Sequence, residues 1–493
     1  MNTTQSWLSW FLRGVLILGF LILSSRLIEL QVIKGSYYRS LSEENRIKRI
    51  PIVAPRGRIF ARGGEILEGK NFAHITGFVG EANKDEVFKI DPGCIEKGPV
   101  RLGEMTGRGG LNEKYNCILR GIDGEELVEV DTSGKTIRTL GEKKATPGSD
   151  LHTTIDFGLQ NKVAESMEGK IGAVIASDLK GEILALYSYP SFDPLRIESY
   201  LNDQTLPFFN RAIGGAYHPG SVFKPVVAIA ALSDGQIDKD FTYNDTGQIK
   251  IDTLYGDFSY SNWYFIQYGR SEGTINLVRA LARSTDTFFY TVGEMIGPEK
   301  IAELAHKFML DKKTGIDIPG EVAGLIPTPD WKEKVKKEKW FLGNTYHLSI
   351  GQGDVALTPL GVNVMTATIA NGGKFCKPYI NEKLKTKNEK CKESEIKKDN
   401  LDLVKEGMRQ VCLPAQTGTT GGTGFTFFDY KESVFCKTGT AEVGTDDDTH
   451  AWFTLFNADL ALTVLVEKGG EGSKVAGPIA RSIMDYEYLR KNP

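Results

Sequence analysis

Trp7–Ser25 is mostly apolar with Arg13 as its only charge, and Gly14–Ser25 carries none. At about 1.5 Å per helical residue such a stretch can cross a bilayer, provided that Arg13 lies near the cytoplasmic end and snorkels to the headgroups. A cleaved secretory signal is the alternative, but Ser24-Ser25-Arg26 is a poor small-residue cleavage site. We read residues 1–6 as a cytoplasmic tail and 7–25 as a single transmembrane helix. Charge orients it weakly, because one Arg lies on each side. Under either reading the bulk of the chain is exported, so paired cysteines become permissible.

The remainder is ordinary globular text. Its 493 residues allow two to four domains, and 60 Lys+Arg against 63 Asp+Glu leave a net charge of -3. With 41% hydrophobic residues the chain is no disordered protein, and its charge gives no support to a nucleic-acid partner. A mean hydropathy of -0.24 excludes a polytopic transporter. The six cysteines form no CxxC pair and the six histidines no HExxH, so neither a metal nor a cofactor is expected.

Residues 40–145 read as short strands and Gly-rich turns, and the first strong helical period is Phe157–Met167. A boundary therefore falls near 146. Beyond it, Gly172–Ser177 and Ile183–Ser188 flank a Lys180-Gly181 turn as a hairpin, helical stretches follow, and strands return at Ser433–Glu442, Ala451–Phe456 and Leu460–Val466. Strands at both ends with helices between predict an α+β fold, one antiparallel sheet flanked by helices. The mixed-sign runs Lys332–Lys339 and Glu382–Lys398 read as solvated loops or helix faces.

The chemistry begins at His218-Pro219-Gly220-Ser221-Val222-Phe223-Lys224-Pro225. An apolar run, Val226–Leu232, follows and Gly235 ends it, so Ser221 opens a buried helix with Lys224 one turn on. Serine is a weak nucleophile until a base takes its proton, and a partly desolvated lysine can do so. The helix N-terminus adds N–H groups for an oxyanion. About two SxxK matches are expected by chance in a chain of this length. One is Ser394-Glu395-Ile396-Lys397, in a charged run with no apolar helix behind it. Lys-Thr-Gly also occurs twice. Lys313-Thr314-Gly315 lies in turn-rich text, whereas Lys437-Thr438-Gly439 continues a strand from Val434 into Thr440-Ala441-Glu442. Such a strand can offer a cation, a hydroxyl and a close backbone to a carboxylate-bearing peptide. Between the two elements stands Ser284-Thr285-Asp286.

Serine-lysine, S-x-D and KTG in this order form the signature of penicillin-binding proteins and β-lactamases. Nearly the whole chain resembles a class B penicillin-binding protein, a monofunctional peptidoglycan transpeptidase. Arg56-Gly57-Arg58-Ile59 with Arg62-Gly63-Gly64 is similar to the family's RGxIxDRxG element, with Ala61 for its Asp. Gly110-Leu111-Asn112 and Leu119-Arg120-Gly121 resemble elements of its pedestal. Thr154-Ile155-Asp156, Pro190–Pro194, Ser349–Gly353, His450–Phe453 and Ala476-Gly477-Pro478 resemble strings of its catalytic domain. The resemblance implies a β-rich, dimerisation-like pedestal over 26–145 and a transpeptidase domain over 146–493. It implies catalytic roles for Ser221 (acylated nucleophile), Lys224 (base), Ser284 (proton relay) and Asp286. Lys437, Thr438, Gly439 and Thr440 would bind the substrate, with the N–H groups of Ser221 and Thr440 as oxyanion hole. It further implies stem peptides and β-lactams as ligands, a SEDS-family glycosyltransferase and other membrane cell-wall proteins as partners, and a bacterial membrane location with the catalytic domain outside the cytoplasm.

Two further positions depart from the family pattern. Asp286 stands where Asn is usual, a form the resemblance associates with penicillin-binding protein 2 types of cell elongation. Cys436 replaces a common Gly and reads as a small buried strand residue. Cys94–Cys117 and Cys376–Cys391 are two candidate disulfides among pairings that sequence does not choose between. A bifunctional enzyme would need a glycosyltransferase domain, too large for the residues between anchor and transpeptidase domain. A class A β-lactamase would need a Glu after the middle motif, but Glu272–Asn276 precedes it. A D,D-carboxypeptidase, a β-lactam sensor and an inactive cell-wall scaffold stay open on the motifs alone.

Overall fold

The structure is a computed structural model describing residues 4–131, 133–253, 256–387, 391–415, 420–444 and 448–492. It divides into two compact units, one of Met1–Gly57, Ile90–Gly98 and Cys117–Ser149, the other of Arg58–Lys89, Pro99–Asn116 and Asp150–Pro493.

The smaller unit begins with helix α1 (Thr4–Ile28), whose apolar side chains from Trp7 to Ile28 are largely exposed. A helix so apolar and so bare is long enough to cross a membrane. Its sheet has the order β1 (Ile47–Ile52), β2 (Gly124–Val130), β3 (Thr136–Lys143), antiparallel throughout. The Cys94–Cys117 disulfide lies in this unit.

In the larger unit, α2 (Phe157–Ser166) is capped by Asp156, whose carboxylate accepts from Leu159 N–H. The hairpin of β4 (Gly172–Asp178) and β5 (Ile183–Tyr189) follows. Next come α3 (Lys224–Asp234), α4 (Leu277–Arg283), α5 (Asp286–Lys307, broken at Gly297), α6 (Pro359–Ala370) and α7 (Lys398–Val411). The chain closes with β6 (Phe435–Glu442), β7 (Thr449–Phe456), β8 (Leu460–Val466) and α8 (Ala476–Lys491). The sheet order β6–β7–β8–β4–β5 joins the late strands to the early hairpin, every pair antiparallel.

Alternation along the strands divides the core in two. Ala461 and Leu465 of β8 and Trp452 of β7 face a cluster with α3, α4 and α5. Leu462 and Val464 of β8 and Phe453 of β7 face another with α2 and α8. Sheet, flanking helices and late strands thus follow the sequence expectation.

Both candidate disulfides, Cys94–Cys117 and Cys376–Cys391, are formed, and Cys436 is indeed a buried strand residue. Its partner, Cys412 at the end of α7, was among neither candidate pair. The lysine-rich run 332–339 is exposed except at Lys332, which is buried and paired with Glu338. Residues 388–390 of the second run lie outside the described residues.

Candidate active site

Ser221 lies in a 3₁₀ turn, Gly220–Phe223, that feeds α3. In such a turn the side chains at i and i+3 eclipse, which stacks Lys224 behind Ser221. Pro225 sits in the first turn of α3, where its missing N–H costs nothing, and Gly235 closes the helix at φ 81°. Every residue from Lys224 to Leu232 is buried. Ser221 itself is half-buried, and its hydroxyl makes no hydrogen bond to another described residue. Gly220 (φ 56°) packs so closely on β6 that a Cβ there would lie 2.9 Å from Thr440 O. A Cβ on Gly439 would lie 3.0 Å from both Pro219 O and Val222 Cγ1. These two glycines let the serine turn and the KTG strand touch backbone to backbone.

The Lys224 ammonium is fully buried and places all three protons. It donates to Ser284 O (2.8 Å), Ser284 Oγ (3.2 Å) and Asp286 Oδ1 (2.6 Å). Ser284 can receive two of them because it adopts the left-handed conformation (φ 57°, ψ 40°) between α4 and α5, a strain carried at the junction itself. Lys437, also fully buried, donates to the same Ser284 Oγ (3.0 Å) and to Thr438 O (3.0 Å). Thr438 Oγ1 lies 2.7 Å from Thr423 Oγ1. Thr440 is exposed, and its Oγ1 accepts from Gly472 N–H (3.2 Å). All eight residues singled out in the sequence therefore lie in the larger unit, on the serine turn, the start of α3, the α4–α5 junction and β6.

Two buried lysines lie in the field of one carboxylate, Asp286, which bonds Lys224 alone, and that governs their charge. Burial lowers the Lys224 pKa, while Asp286 pulls it back up. Lys437 is pushed well down, by burial first and then by the neighbouring Lys224 charge. A site with one anion for two buried ammoniums favours releasing a proton, and such a site can take one from a hydroxyl.

Three contributors escaped the sequence reading. Trp263 N–H donates to Asp286 Oδ2 (3.0 Å), and Asn262 Oδ1 accepts from Asp286 N (3.3 Å). Nothing in the aromatic run Trp263-Tyr264-Phe265 signals this. Thr423 left a trace in Gly421-Gly422-Thr423-Gly424, a run that demands a tight backbone. A Cβ on Gly422 would lie 2.2 Å from Val411 O.

A serine turn, a buried lysine and a KTG strand on a sheet flanked by helices define a serine acyltransferase domain. The family description "Penicillin binding protein transpeptidase domain" matches residues 171–485, and "Penicillin-binding Protein dimerisation domain" matches 66–153. The chain belongs to the penicillin-binding protein transpeptidases. It is 32% identical to the peptidoglycan D,D-transpeptidase MrdA of Haemophilus influenzae over 87% of this chain and 69% of that one. It is similar to PBP2 of Pseudomonas aeruginosa in complex with WCK 5153 (29% identity, TM-score 0.74, 89% and 96% of the two chains). It also shares the fold of PBP2 in complex with MreC from Helicobacter pylori (23% identity, TM-score 0.76, 90% and 99%).

Proposed function

We propose that this protein is a peptidoglycan D,D-transpeptidase of cell elongation that works through an acyl-enzyme on Ser221. The observation that carries the reading is the fully buried Lys224, bonded to Ser284 and Asp286 three residues after a half-buried serine whose hydroxyl has no hydrogen-bond partner among the described residues.

The substrate is a stem pentapeptide ending in D-Ala-D-Ala. Its terminal carboxylate binds Lys437 and Thr438, a charge-assisted pairing that restores the proton to Lys437. A charged Lys437 then disfavours charge on Lys224, whose ammonium shares Ser284 Oγ with it. Neutral Lys224 takes the Ser221 hydroxyl proton as Oγ attacks the penultimate D-Ala carbonyl. The N–H groups of Ser221 and Thr440 receive the oxyanion. Collapse breaks the peptide bond, and the proton passes through Ser284 to the departing D-Ala amine. An amine of a neighbouring stem then attacks the ester, gives up a proton along the same route, and frees Ser221. β-Lactams acylate Ser221 in the same way and stay bound.

The same reading makes α1 a single-pass anchor in the bacterial cell membrane, with residues 26–145 a pedestal and 146–493 the catalytic domain outside the cytoplasm. Three disulfides fit an oxidising compartment. Anchor and pedestal would meet a SEDS-family glycosyltransferase and other membrane cell-wall proteins. Covalent labelling with a fluorescent penicillin, followed by peptide mapping, tests the reading. A label on Ser221 supports it, and a protein that takes no label is a scaffold. Release of D-Ala from a pentapeptide without transfer to an added amine would mark a carboxypeptidase.

A further inference from the structure

Behind Asp286 lies a second buried carboxylate, Asp245, only 2% exposed at the end of the strand Thr242–Asp245. Its Oδ1 accepts from Gly247 N–H (2.9 Å) and Thr287 Oγ1 (2.7 Å). Its Oδ2 accepts from Glu272 N–H (2.7 Å) and Asn262 Nδ2 (3.4 Å). Four neutral donors from four separate segments converge on it, a carboxylate site built by backbone and side chains together.

Each of those donors leads towards Asp286. Thr287 is its neighbour on α5. Asn262 Oδ1 accepts from Asp286 N, and Asn262 N–H donates to Gly247 O (2.8 Å), so Asp245 fixes this residue through both its amide and its backbone. The next residue, Trp263, gives Asp286 Oδ2 its N–H. The indole of Trp263 is pinned as well. Its Nε1–H donates to Arg283 O (2.9 Å), and the Arg283 guanidinium lies 5.2 Å from its ring centre. Arg283 is in turn held by Glu272 Oε1 (2.7 Å), and the Glu272 backbone N–H ends on Asp245.

We propose that Asp245 is a positioning residue for the reaction: it locks the Asn262–Trp263 backbone that holds Asp286 against Lys224. The inference rests on the acyl-Ser221 reading. It also accounts for Asp rather than Asn at 286. Lys224 donates to Oδ1 and Trp263 N–H to Oδ2, so both oxygens face donors and an amide would turn its NH2 against one of them.

Second-order acylation by a fluorescent penicillin, followed from pH 5 to 10, tests this. Lys224 is the titrating base. It is faced by Asp286 and the Phe289 ring on α5, by Ser284 at the α4–α5 junction and by Lys437 on β6, while Asp286 also feels Tyr290. In Asp245→Asn an NH2 meets two donors whichever way it turns. We expect the plateau rate to fall roughly tenfold and the acidic limb to move to lower pH, as a misplaced Asp286 stops stabilising the lysine's charge. A profile superimposable on the wild type, once scaled for the folded fraction from thermal melts, overturns the inference and leaves Asp245 purely structural. If Asp245→Asn fails to fold, Thr287→Val removes a single donor and should shift the limb the same way by less, with Thr287→Ser restoring it. A wild-type limb in Thr287→Val then overturns the inference. Labelling that survives Ser221→Ala defeats the functional reading, and this inference with it.

Discussion

The chain spells two of its motifs twice, and the copies are physically unlike. Ser221 lies in a 3₁₀ turn that feeds the buried helix opened by Lys224, whereas the Ser394–Lys397 stretch is interrupted by Glu395 at φ 57° and never forms a helical turn. Ser394 Oγ donates to Gly373 O, and Lys397 is an exposed, extended residue at the start of α7. The KTG copies differ in the same sense. Thr314 Oγ1 and N–H both donate to Glu321 Oε1 (2.6 Å each), and Gly315 N–H donates to Oε2 (2.9 Å). That loop already binds a carboxylate, its own. Among the described residues Lys437 and Thr438 bond to no carboxylate: Lys437 donates to the Ser284 hydroxyl and the Thr438 carbonyl, and the Thr438 hydroxyl pairs with that of Thr423. A motif acts as a site where the fold buries its cation and leaves its hydroxyl or strand free for a ligand.

The sharpest way to break this contrast is to remove each serine. Ser221→Ala should lower fluorescent-penicillin labelling by more than ~10³-fold while the protein stays folded. Ser394→Ala should leave labelling unchanged, and a label mapped to Ser394 would reverse the assignment. The lysines come next. Lys224→Ala should cost about 10²–10⁴-fold in acylation rate by removing the base, against no measurable change for Lys397→Ala.

Asp286→Asn should reduce acylation by roughly 5- to 150-fold, the effect of one unsatisfied buried donor worth about 1–3 kcal/mol. Its acidic limb should also move to lower pH. The sign follows from charge: Asp286 stabilises protonated Lys224, so losing that anion lowers the lysine pKa and the neutral base persists in more acid solution. Superimposable pH profiles would make Asp286 structural. The smallest effects belong to the decoy loop. Glu321→Gln should leave acylation untouched yet cost about 1–3 kcal/mol of stability by urea unfolding, because donors now face its NH2.

The catalytic scaffold was legible because its signals are local and periodic. The hairpin around Lys180-Gly181, the apolar run after Lys224 and the late strands each declare themselves within ten residues or so. What supports the site was not. Asn262 and Thr287 bond to Asp245 across 17 and 42 positions and Trp263 to Asp286 across 23, and nothing in their spacing shows that they meet. The Cys412–Cys436 pairing was hidden for the same reason, since no sequence rule chooses among six cysteines.

That pairing has a consequence for how the protein is made. The three disulfides join first to second, third to fourth and fifth to sixth cysteine, with separations of 23, 15 and 24 residues. Under the proposed export, a chain threaded outwards from its N-terminus presents its thiols in that order. The first cysteine of each pair meets its native partner as the next thiol to emerge, so an oxidant that joins each such neighbour on arrival yields the native set. The same polypeptide released all at once from denaturant faces about fifteen complete pairings. Active protein should therefore be recovered better by secretion into an oxidising compartment than by oxidative refolding of the whole reduced chain.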